Sequence, residues 1–226
     1  MKIAVLGTGN VGRALGAALA GQGHEVTIGT RDPATTLARV GVDAMESPPL
    51  SEWFTEHPGI GLARFAAAAE ACELVVNATS GGASLNVLAR AGAGNLAGKV
   101  LLDVANPLDF SHGMPPSLLV CNRDSLAEQI QRAYPAARVV KSLNTMTAAL
   151  MVNPGLVAGG EHTAFVSGND AEAKKTVTAL LTDLGHTDVI DLGDIETARG
   201  AEMLLPIWLS LWGALGTPLL NFKIVR

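Results

Sequence analysis

A glycine-rich turn near the start of the chain has the composition of a nucleotide-binding loop. The first glycine of such a turn permits a tight bend, the second lets the backbone approach a pyrophosphate, and the third lets helix and strand pack closely. The free N–H groups of the helix that follows would face the pyrophosphate. The turn fits the pattern G-x-G-x-x-G and consists of Gly7, Thr8, Gly9, Asn10, Val11 and Gly12.

The elements on both sides of this turn make the motif more specific. An apolar run at Lys2–Leu6 predicts a buried strand, and Glu25–Ile28 predicts a second strand at the distance that a βαβ unit requires. We therefore interpret residues 1–31 as the first unit of a dinucleotide-binding fold. The alternative is a glycine turn in an α/β fold that binds no ligand, since 25 glycines can produce such a pattern by chance.

The end of the second strand indicates which dinucleotide is bound. NAD sites usually carry Asp or Glu about 20 residues after the glycines, where the acid holds the ribose hydroxyls. This chain has Thr30 and Arg31 there, and a hydroxyl beside a forked guanidinium suits the 2′-phosphate of NADP. Asp32 could be the missing acid, but its position before Pro33 favours a helix N-cap. The residues therefore favour NADP(H) over NAD(H).

Further candidate binding residues follow the other predicted parallel strands. Ligands of open parallel sheets bind beyond the carboxyl ends of the strands. Uncharged hydrogen-bonding groups at these ends suit ribose, carboxamide and phosphate. The alternative is that the polar side chains only cap the helices that follow. The candidates are Asn77, Ala78, Thr79, Ala105, Asn106, Asn144 and Thr145.

No side chain is a convincing catalytic acid, base or nucleophile. Ser80 and Ser84 have no histidine partner at a fixed spacing, and Lys141 lies within a predicted strand. Asp103 lies in another strand, where we expect its carboxylate to bond to loop amides. Hydride transfer between two bound rings needs placement more than proton chemistry, so this scarcity agrees with such a reaction. The sequence has neither an H-x-x-x-H motif nor paired cysteines, so its spacing does not indicate a metal site.

The histidines give one weaker candidate. His112 lies in a long loop, and it is the histidine that we would test as a substrate contact. His24, His57 and His186 are expected to be structural or solvated, and His162 is expected at the surface.

The order of the predicted elements defines the fold class. Alternating strands and helices predict an α/β fold with a Rossmann-type, doubly wound and mainly parallel sheet, followed by a small C-terminal α/β appendage. We expect an NADP-binding domain at residues 1–150 and a small domain with a dimerisation helix at residues 151–226. The connection 108–123 is predicted to be an irregular functional loop. Residues 42–59 are also predicted to be a loop, with a helical turn at 50–56.

Composition excludes several classes of partner. With 48% hydrophobic residues, 16% charged residues and a net charge of −5, the chain lacks the basic patch of a nucleic-acid-binding protein. Cys72 and Cys121 stand alone, which favours a reducing, cytoplasmic setting. Residues 203–222 carry no charge, but Pro206 and Pro218 interrupt them. We favour a kinked helix, buried in the core or against a second subunit, over a membrane span.

The opening region resembles the NADPH-dependent F420 reductases, also called F420H2:NADP oxidoreductases. In that family G-T-G-x-x-G is followed by G-H-E-V and G-[ST]-R, which match residues 23–26 and 29–31. Residues 139–146, 166–177 and 188–206 resemble later segments of the family. Similar domains form the cytosolic part of transmembrane ferric reductases.

The resemblance implies a homodimeric, cytoplasmic enzyme. Hydride would pass between NADP(H) and the deazaflavin coenzyme F420 without an obligatory side-chain acid. The segment after the fourth strand lacks the family's proline–aromatic pair, and the loop 108–123 is longer than the family pattern. Two alternatives stay open: an NADPH reductase of a flavin, quinone or small carbonyl, and a non-catalytic NADPH-binding sensor.

Overall fold

A parallel sheet is the centre of the structure. A computed structural model describes residues 1–41 and 48–226. The strands alternate with helices along the chain, as the sequence predicts. They are β1 (Lys2–Leu6), β2 (Glu25–Thr30), β3 (Gly61–Arg64), β4 (Leu74–Asn77), β5 (Val100–Asp103), β6 (Leu108–Asp109), β7 (Ser117–Leu118), β8 (Arg138–Ser142), β9 (Thr163–Gly168) and β10 (Asp188–Gly193).

Within the described residues, eight of these strands form one sheet in the order β10-β9-β8-β5-β4-β1-β2-β3. The run from β3 to β8 is parallel, and β9 joins β8 in antiparallel orientation. The strand order reverses between β1 and β4, which is where doubly wound sheets bind their ligands. The predicted fold class is confirmed. β9 and β10 extend the same sheet, and the domain boundary near residue 150 stays a prediction.

Helices cover both faces of the sheet. Leu15 of the first helix and Val177 of a later one are buried on one face, while Leu88 and Ile130 are buried on the other. The helices are α1 (Asn10–Gly21), α2 (Pro33–Leu37), α3 (Leu50–Glu56), α4 (Phe65–Ala71), α5 (Gly81–Ala91), α6 (Ala93–Leu96), α7 (Leu126–Ala133), α8 (Ala148–Val152), α9 (Ala171–Asp183), α10 (Ala198–Met203) and α11 (Leu205–Leu215).

Side-chain caps begin three of the helices. Asp32 accepts the Thr35 N–H at 2.9 Å and caps α2, with Pro33 in its first turn. Ser125 caps α7, and Asp170 accepts the Ala173 N–H at 2.7 Å to cap α9. These local hydrogen bonds explain why short polar residues before an apolar period predict helix starts correctly.

Two connections differ from the prediction. The segment 108–123 is not irregular throughout, because β6 and β7 pair as an antiparallel hairpin. The predicted C-terminal helix consists of a 3₁₀ turn at Ile195–Thr197, then α10 and α11, which meet at Leu204 just before Pro206. Residues 42–47 of the predicted loop 42–59 lie outside the described residues, and Leu50–Glu56 forms α3.

The hairpin and α11 share a small apolar cluster of their own. Leu205, Trp208 and Leu220 are buried there, and Leu108 and Leu118 of the hairpin pack against them. In the part of the chain that the structure describes, no helix is long and apolar enough to cross a membrane.

Candidate functional site

The glycine turn between β1 and α1 is shaped by backbone contacts. Gly7 has φ of +131°, and a Cβ there would lie 2.4 Å from the Ala78 carbonyl oxygen. A Cβ at Gly12 would lie 2.1 Å from the carbonyl oxygen of Gly7. Both positions therefore require glycine. Gly9 differs, because a Cβ there would meet none of the described atoms within 4 Å. The open side of the turn lies at Gly9.

The first turn of α1 adds hydrogen-bond donors at this open side. Gly9 is the N-cap and supplies no side chain, and the first backbone bond into the helix is from the Arg13 N–H to the Gly9 carbonyl. Asn10 is exposed and Val11 half-buried. Uncapped N–H groups at a helix start, reinforced by the helix dipole, form an anion site. The turn and α1 thus fit a pyrophosphate.

Arg13 is a residue of this region that the sequence reasoning missed. Its Nε donates to the Thr8 carbonyl at 3.0 Å and its Nη1 donates to the Pro48 carbonyl at 2.5 Å. It lines a cavity of about 450 Å³ together with Thr8, Gly9 and Arg39. Helical side chains tilt toward the N-terminus, so an arginine directly after the third glycine could have been predicted to reach back to the turn.

One cationic side chain at the end of β2 is exposed to solvent. Arg31 is exposed, and it makes no ion pair with any of the described residues. Thr30 is buried, and its hydroxyl bonds the Thr36 hydroxyl at 2.7 Å. Asp32 caps α2 and pairs with Arg64. The Thr35 N–H holds the pKa of Asp32 below its ordinary value.

These contacts separate the roles of the three residues. Asp32 is the N-cap that the sequence predicts, and both of its oxygens are engaged. Thr30 supports the strand end from inside. Arg31 is the group at this position that can receive a phosphate.

The polar side chains at and just after the end of β4 form hydrogen bonds with other side chains of the protein. Asn77 is fully buried, and its Nδ2 donates to the Ser84 hydroxyl at 3.0 Å and to Asp103 at 2.8 Å. The Thr79 hydroxyl donates to Asn77 Oδ1 at 2.7 Å and also bonds Ser84. Asn77 therefore shapes the strand end from within, whereas Ala78 and Thr79 are partly exposed.

Two asparagines join the ends of β5 and β8. Asn106 Nδ2 donates to the Asn144 carbonyl at 2.8 Å, and Asn144 Nδ2 donates to Asn106 Oδ1 at 3.0 Å. Leu143 directly precedes Asn144 and has φ of +60° although it is buried. Such a conformation costs about 1–3 kcal/mol and occurs often at functional sites. We call these residues the amide wall; they are Ala105, Asn106, Asn144 and Thr145, of which Asn106 is half-buried and the other three are buried.

A buried ion cluster lies next to the amide wall. Lys141 Nζ lies 2.8 Å from Asp103 Oδ2 and 2.9 Å from Glu202 Oε1, and it also donates to the Ala105 carbonyl. We call Asp103, Lys141 and Glu202 the charge cluster. Burial alone would lower the pKa of the Lys141 ammonium, but the two carboxylates outweigh it and hold the pKa above its ordinary value.

The charge cluster corrects one expectation. Asp103 accepts a loop amide, the Ala105 N–H at 3.3 Å, but its nearer partners are Asn77 and Lys141. Glu202 has no counterpart in the sequence prediction. A lone charge inside an apolar strand or helix must find a partner, and that rule could have identified Lys141 and Glu202 as a pair.

The histidines contribute little to this site. His112 is exposed in the hairpin loop, and its contact with a substrate stays a prediction. His162 was expected at the surface but is buried, because its ring bonds the Pro154 carbonyl at 3.0 Å and the Asn221 amide at 2.7 Å. His186 is also buried, and burial lowers its pKa.

The hairpin borders the same end of the sheet. The Leu119 N–H donates to the Pro107 carbonyl at 2.7 Å, and a Cβ at Gly82 would lie 3.3 Å from Leu119 Cδ1. Phe110 and Met114, at 56% and 67% exposure, present apolar surface from the hairpin. The structure thus brings together a phosphate-binding end, an amide wall and an apolar flank.

Comparison with known proteins decides the family. The family described as NADP oxidoreductase, coenzyme F420-dependent, matches residues 2–107. A candidate F420-dependent NADP-reductase from Arthrobacter sp. FB24, with a known crystal structure, is 66% identical over 100% of both chains, with a TM-score of 0.96. The chain belongs to the family of F420-dependent NADP oxidoreductases. The predicted family, fold class, oxidoreductase class and NADP cofactor are confirmed.

Two curated relatives match the chain over a smaller share of their own length. The metalloreductase STEAP3 of Rattus norvegicus is 30% identical over 222 residues, which are 92% of this chain and 38% of the rat protein. The F420-dependent NADP reductase of Methanocaldococcus jannaschii is 30% identical over 117 residues, which are 51% of this chain and 52% of that protein. The chain thus spans about half the length of these relatives or less.

Proposed function

We propose that the enzyme transfers a hydride between NADP(H) and the deazaflavin coenzyme F420. The observation that carries this proposal is the exposed Arg31 beside an open glycine turn, in a chain of this family. When bound, the nicotinamide supplies or accepts the hydride. The names of the methanogen and Arthrobacter relatives support the deazaflavin as the second substrate.

The residues at the phosphate end would anchor the cofactor. The N–H groups of Asn10, Val11 and Gly12 would bind the pyrophosphate, since the open side at Gly9 admits it. Arg31 would bind the 2′-phosphate with its forked donors. Arg13 holds the Thr8 carbonyl and so fixes the turn.

The residues at the other end would place the reacting rings. The amide wall is rigid because Asn106 and Asn144 bond each other, and Asn144 also donates to the Ala201 carbonyl at 3.0 Å. A fixed wall holds two rings in contact, which is the main requirement for direct hydride transfer. The apolar side chains Phe110 and Met114 would exclude water from this contact. Reduction of the acceptor takes up one proton together with the hydride, and solvent can supply it.

The direct test is to mix the enzyme with NADPH and oxidised coenzyme F420. We expect the deazaflavin absorbance to fall as NADP⁺ forms in equal amounts. FMN, a quinone and a small aldehyde serve as alternative acceptors under the same conditions. Transfer to one of these alone would make the protein a reductase of another acceptor. NADPH binding with no transfer to any acceptor would contradict the proposal and favour a sensor.

A homodimer built on α11 is a second part of the proposal. Ile207 and Leu215 are 48% and 61% exposed on α11. Between α11 and the hairpin lies an apolar cavity of about 500 Å³, bordered by Met114 and Trp212. A second copy of the chain would cover this surface, since exposed apolar patches mark interfaces. Sedimentation should give a dimer for the native chain and a monomer for Leu215→Glu. A monomeric native chain would contradict this part.

We place the enzyme in the cytoplasm, because its two cysteines are unpaired. Cys72 is buried and Cys121 exposed, and a reducing compartment keeps an exposed thiol free. Fractionation of cells that produce the protein would test this placement. Recovery outside the cytoplasmic fraction would contradict it.

A further inference from the structure

We infer that the charge cluster sets the relative affinity of the enzyme for the two redox forms of its cofactor. It does so by holding one net negative charge in the protein interior next to the amide wall. This inference rests on the proposed function, because it requires the nicotinamide to lie at that wall. Its observable consequence is the ratio of the dissociation constants of NADP⁺ and NADPH.

The cluster is closed to solvent. Lys141 and Glu202 are each 1% exposed and Asp103 is 0% exposed. The ammonium lies within 2.8 Å of one carboxylate and 2.9 Å of the other. Two carboxylates and one ammonium leave a net charge of −1 when all three are ionised. In such an interior the charge is weakly screened, so it acts on neighbouring charges more strongly than a surface charge does.

The hydrogen-bond pattern of both carboxylates fits ionised groups. Glu202 accepts the N–H groups of Leu126 and Ala127 at 2.8 and 3.1 Å, at the start of α7. Asp103 accepts the Asn77 amide and the Ala105 N–H. With Lys141 included, every one of these partners is a donor. A protonated carboxyl would have to aim its own O–H at a donor, which costs a buried hydrogen bond.

The other charged side chains of α7 and α10 are in ion pairs of their own. Arg199 of α10 bonds Glu128 at 2.8 Å through Nε, and Arg132 of α7 bonds Asp124 at 2.9 and 2.7 Å. Arg199 also lies 3.8 Å from Glu196, so neither arginine leaves an unpaired positive charge beside the cluster. The excess charge of the cluster is therefore offset by backbone N–H dipoles rather than by a full positive charge.

The cluster is joined to the amide wall by a direct bond. The Lys141 ammonium donates to the Ala105 carbonyl, and Asp103 lies two residues before that carbonyl at the end of β5. The nicotinamide ring carries a positive charge in NADP⁺ and none in NADPH. A fixed negative charge behind the wall attracts the cationic ring. The cluster therefore favours NADP⁺ over NADPH and lowers the barrier for hydride donation by NADPH.

Isosteric variants separate this charge from the packing around it. Glu202→Gln brings the cluster to a net charge of zero, and so does Asp103→Asn. We expect each to shift the ratio of dissociation constants about tenfold toward NADPH. The double variant Lys141→Met with Glu202→Gln removes one charge of each sign and keeps −1. Its ratio should return to within about threefold of the native value.

A matched control uses an acid far from the wall. Asp191 in β10 pairs with Lys174 at 2.8 Å and is 54% exposed at its side chain. Asp191→Asn changes the charge of the protein by the same amount, and its ratio should equal that of the native enzyme. Binding is measured by titration calorimetry with each redox form, and circular dichroism confirms that each variant is folded.

The outcomes distinguish the inference from the function beneath it. If folded Glu202→Gln and Asp103→Asn keep the native ratio of dissociation constants, the inference is overturned while the proposed function stands. A shift in the double variant as large as that in Glu202→Gln would also overturn it, because the effect would then come from packing. If the native enzyme binds neither redox form, the proposed function fails and the inference fails with it.

Discussion

The two ends of the candidate site are built in different ways. At the phosphate end the ligand-binding groups are open: the α1 N–H groups have no side-chain cap, and Arg31 is exposed. At the ring end the polar side chains are used by the protein itself. Asn77, Asn106 and Asn144 bond to other protein groups, and the charge cluster is closed to solvent.

This difference indicates a division of labour. Open donors gain their hydrogen bonds only from a ligand, so we expect the phosphate end to set the affinity for the cofactor. Buried polar networks with all their hydrogen bonds formed are rigid. We therefore expect the ring end to set the geometry of the reacting rings and the electrostatic field that acts on them. Changes to closed groups, which dominate the ring end, should therefore affect stability first, and changes to the open groups of the phosphate end should affect binding first.

The largest effect is expected for Lys141→Met. It leaves two carboxylates buried without their cation, which should lower the free energy of unfolding by about 3–5 kcal/mol. Urea denaturation measures this change. Lys174→Met, at a partly exposed ion pair, serves as the control and should cost less than about 1 kcal/mol. Equal losses for the two variants would mean that the ring end is no more tightly constrained than the surface.

The glycine turn offers the next test, because two of its glycines differ in their surroundings. Gly12→Ala forces a Cβ against the Gly7 carbonyl oxygen and should lower stability by about 2–3 kcal/mol. Gly9→Ala places a Cβ in open space, so this variant should fold normally. The added methyl group would occupy space that the pyrophosphate needs, so NADPH binding should weaken. Thermal denaturation and NADPH titration check the pair. Normal NADPH binding by Gly9→Ala would place the pyrophosphate elsewhere.

Arg31→Ala should act on binding alone. We expect NADPH affinity to fall by about 1.5–3 kcal/mol, the scale of a charge-assisted hydrogen bond. NADH affinity should change far less, because NADH lacks the 2′-phosphate. Fluorescence titration with both cofactors measures the difference. Equal losses would show that Arg31 does not bind the 2′-phosphate.

The smallest effect concerns acid stability at α7. The Arg132 side chain is the main cause that holds the pKa of Asp124 at about 2. Because this folded-state pKa is depressed, the stabilisation is present above the unfolded value of about 3.9 and is lost as the pH falls toward 2. Asp124→Asn should cost about 1 kcal/mol at pH 6, since the pair is partly exposed.

Denaturation curves at several pH values test this last effect. The native protein and Asp124→Asn should converge in stability as the pH falls from 4 to about 2. A constant gap over that range would mean that the ion pair does not account for the difference.

The sequence predicted those features that depend on neighbouring residues. The roles of Gly7 and Gly12 follow from a local turn, and the Asp32 cap acts within three residues. The doubly wound fold class followed from the alternation of predicted strands and helices.

The sequence did not predict features that join distant segments. Lys141 and Glu202 meet only because α10 packs against β9, the neighbour of β8 in the sheet. The hairpin escaped prediction because each of its strands has two residues, too few to show a period. The burial of His162 escaped prediction because its partner Asn221 lies 59 residues away in the chain.

The most direct test of the division between the two ends is a steady-state comparison with NADPH and coenzyme F420. Arg31→Ala should raise KM for NADPH about tenfold or more and leave kcat within about threefold of the native value. Asn106→Ala should lower kcat about tenfold and leave the affinity for NADPH nearly unchanged. If both variants change the same parameter by similar factors, the two ends do not divide affinity and geometry between them.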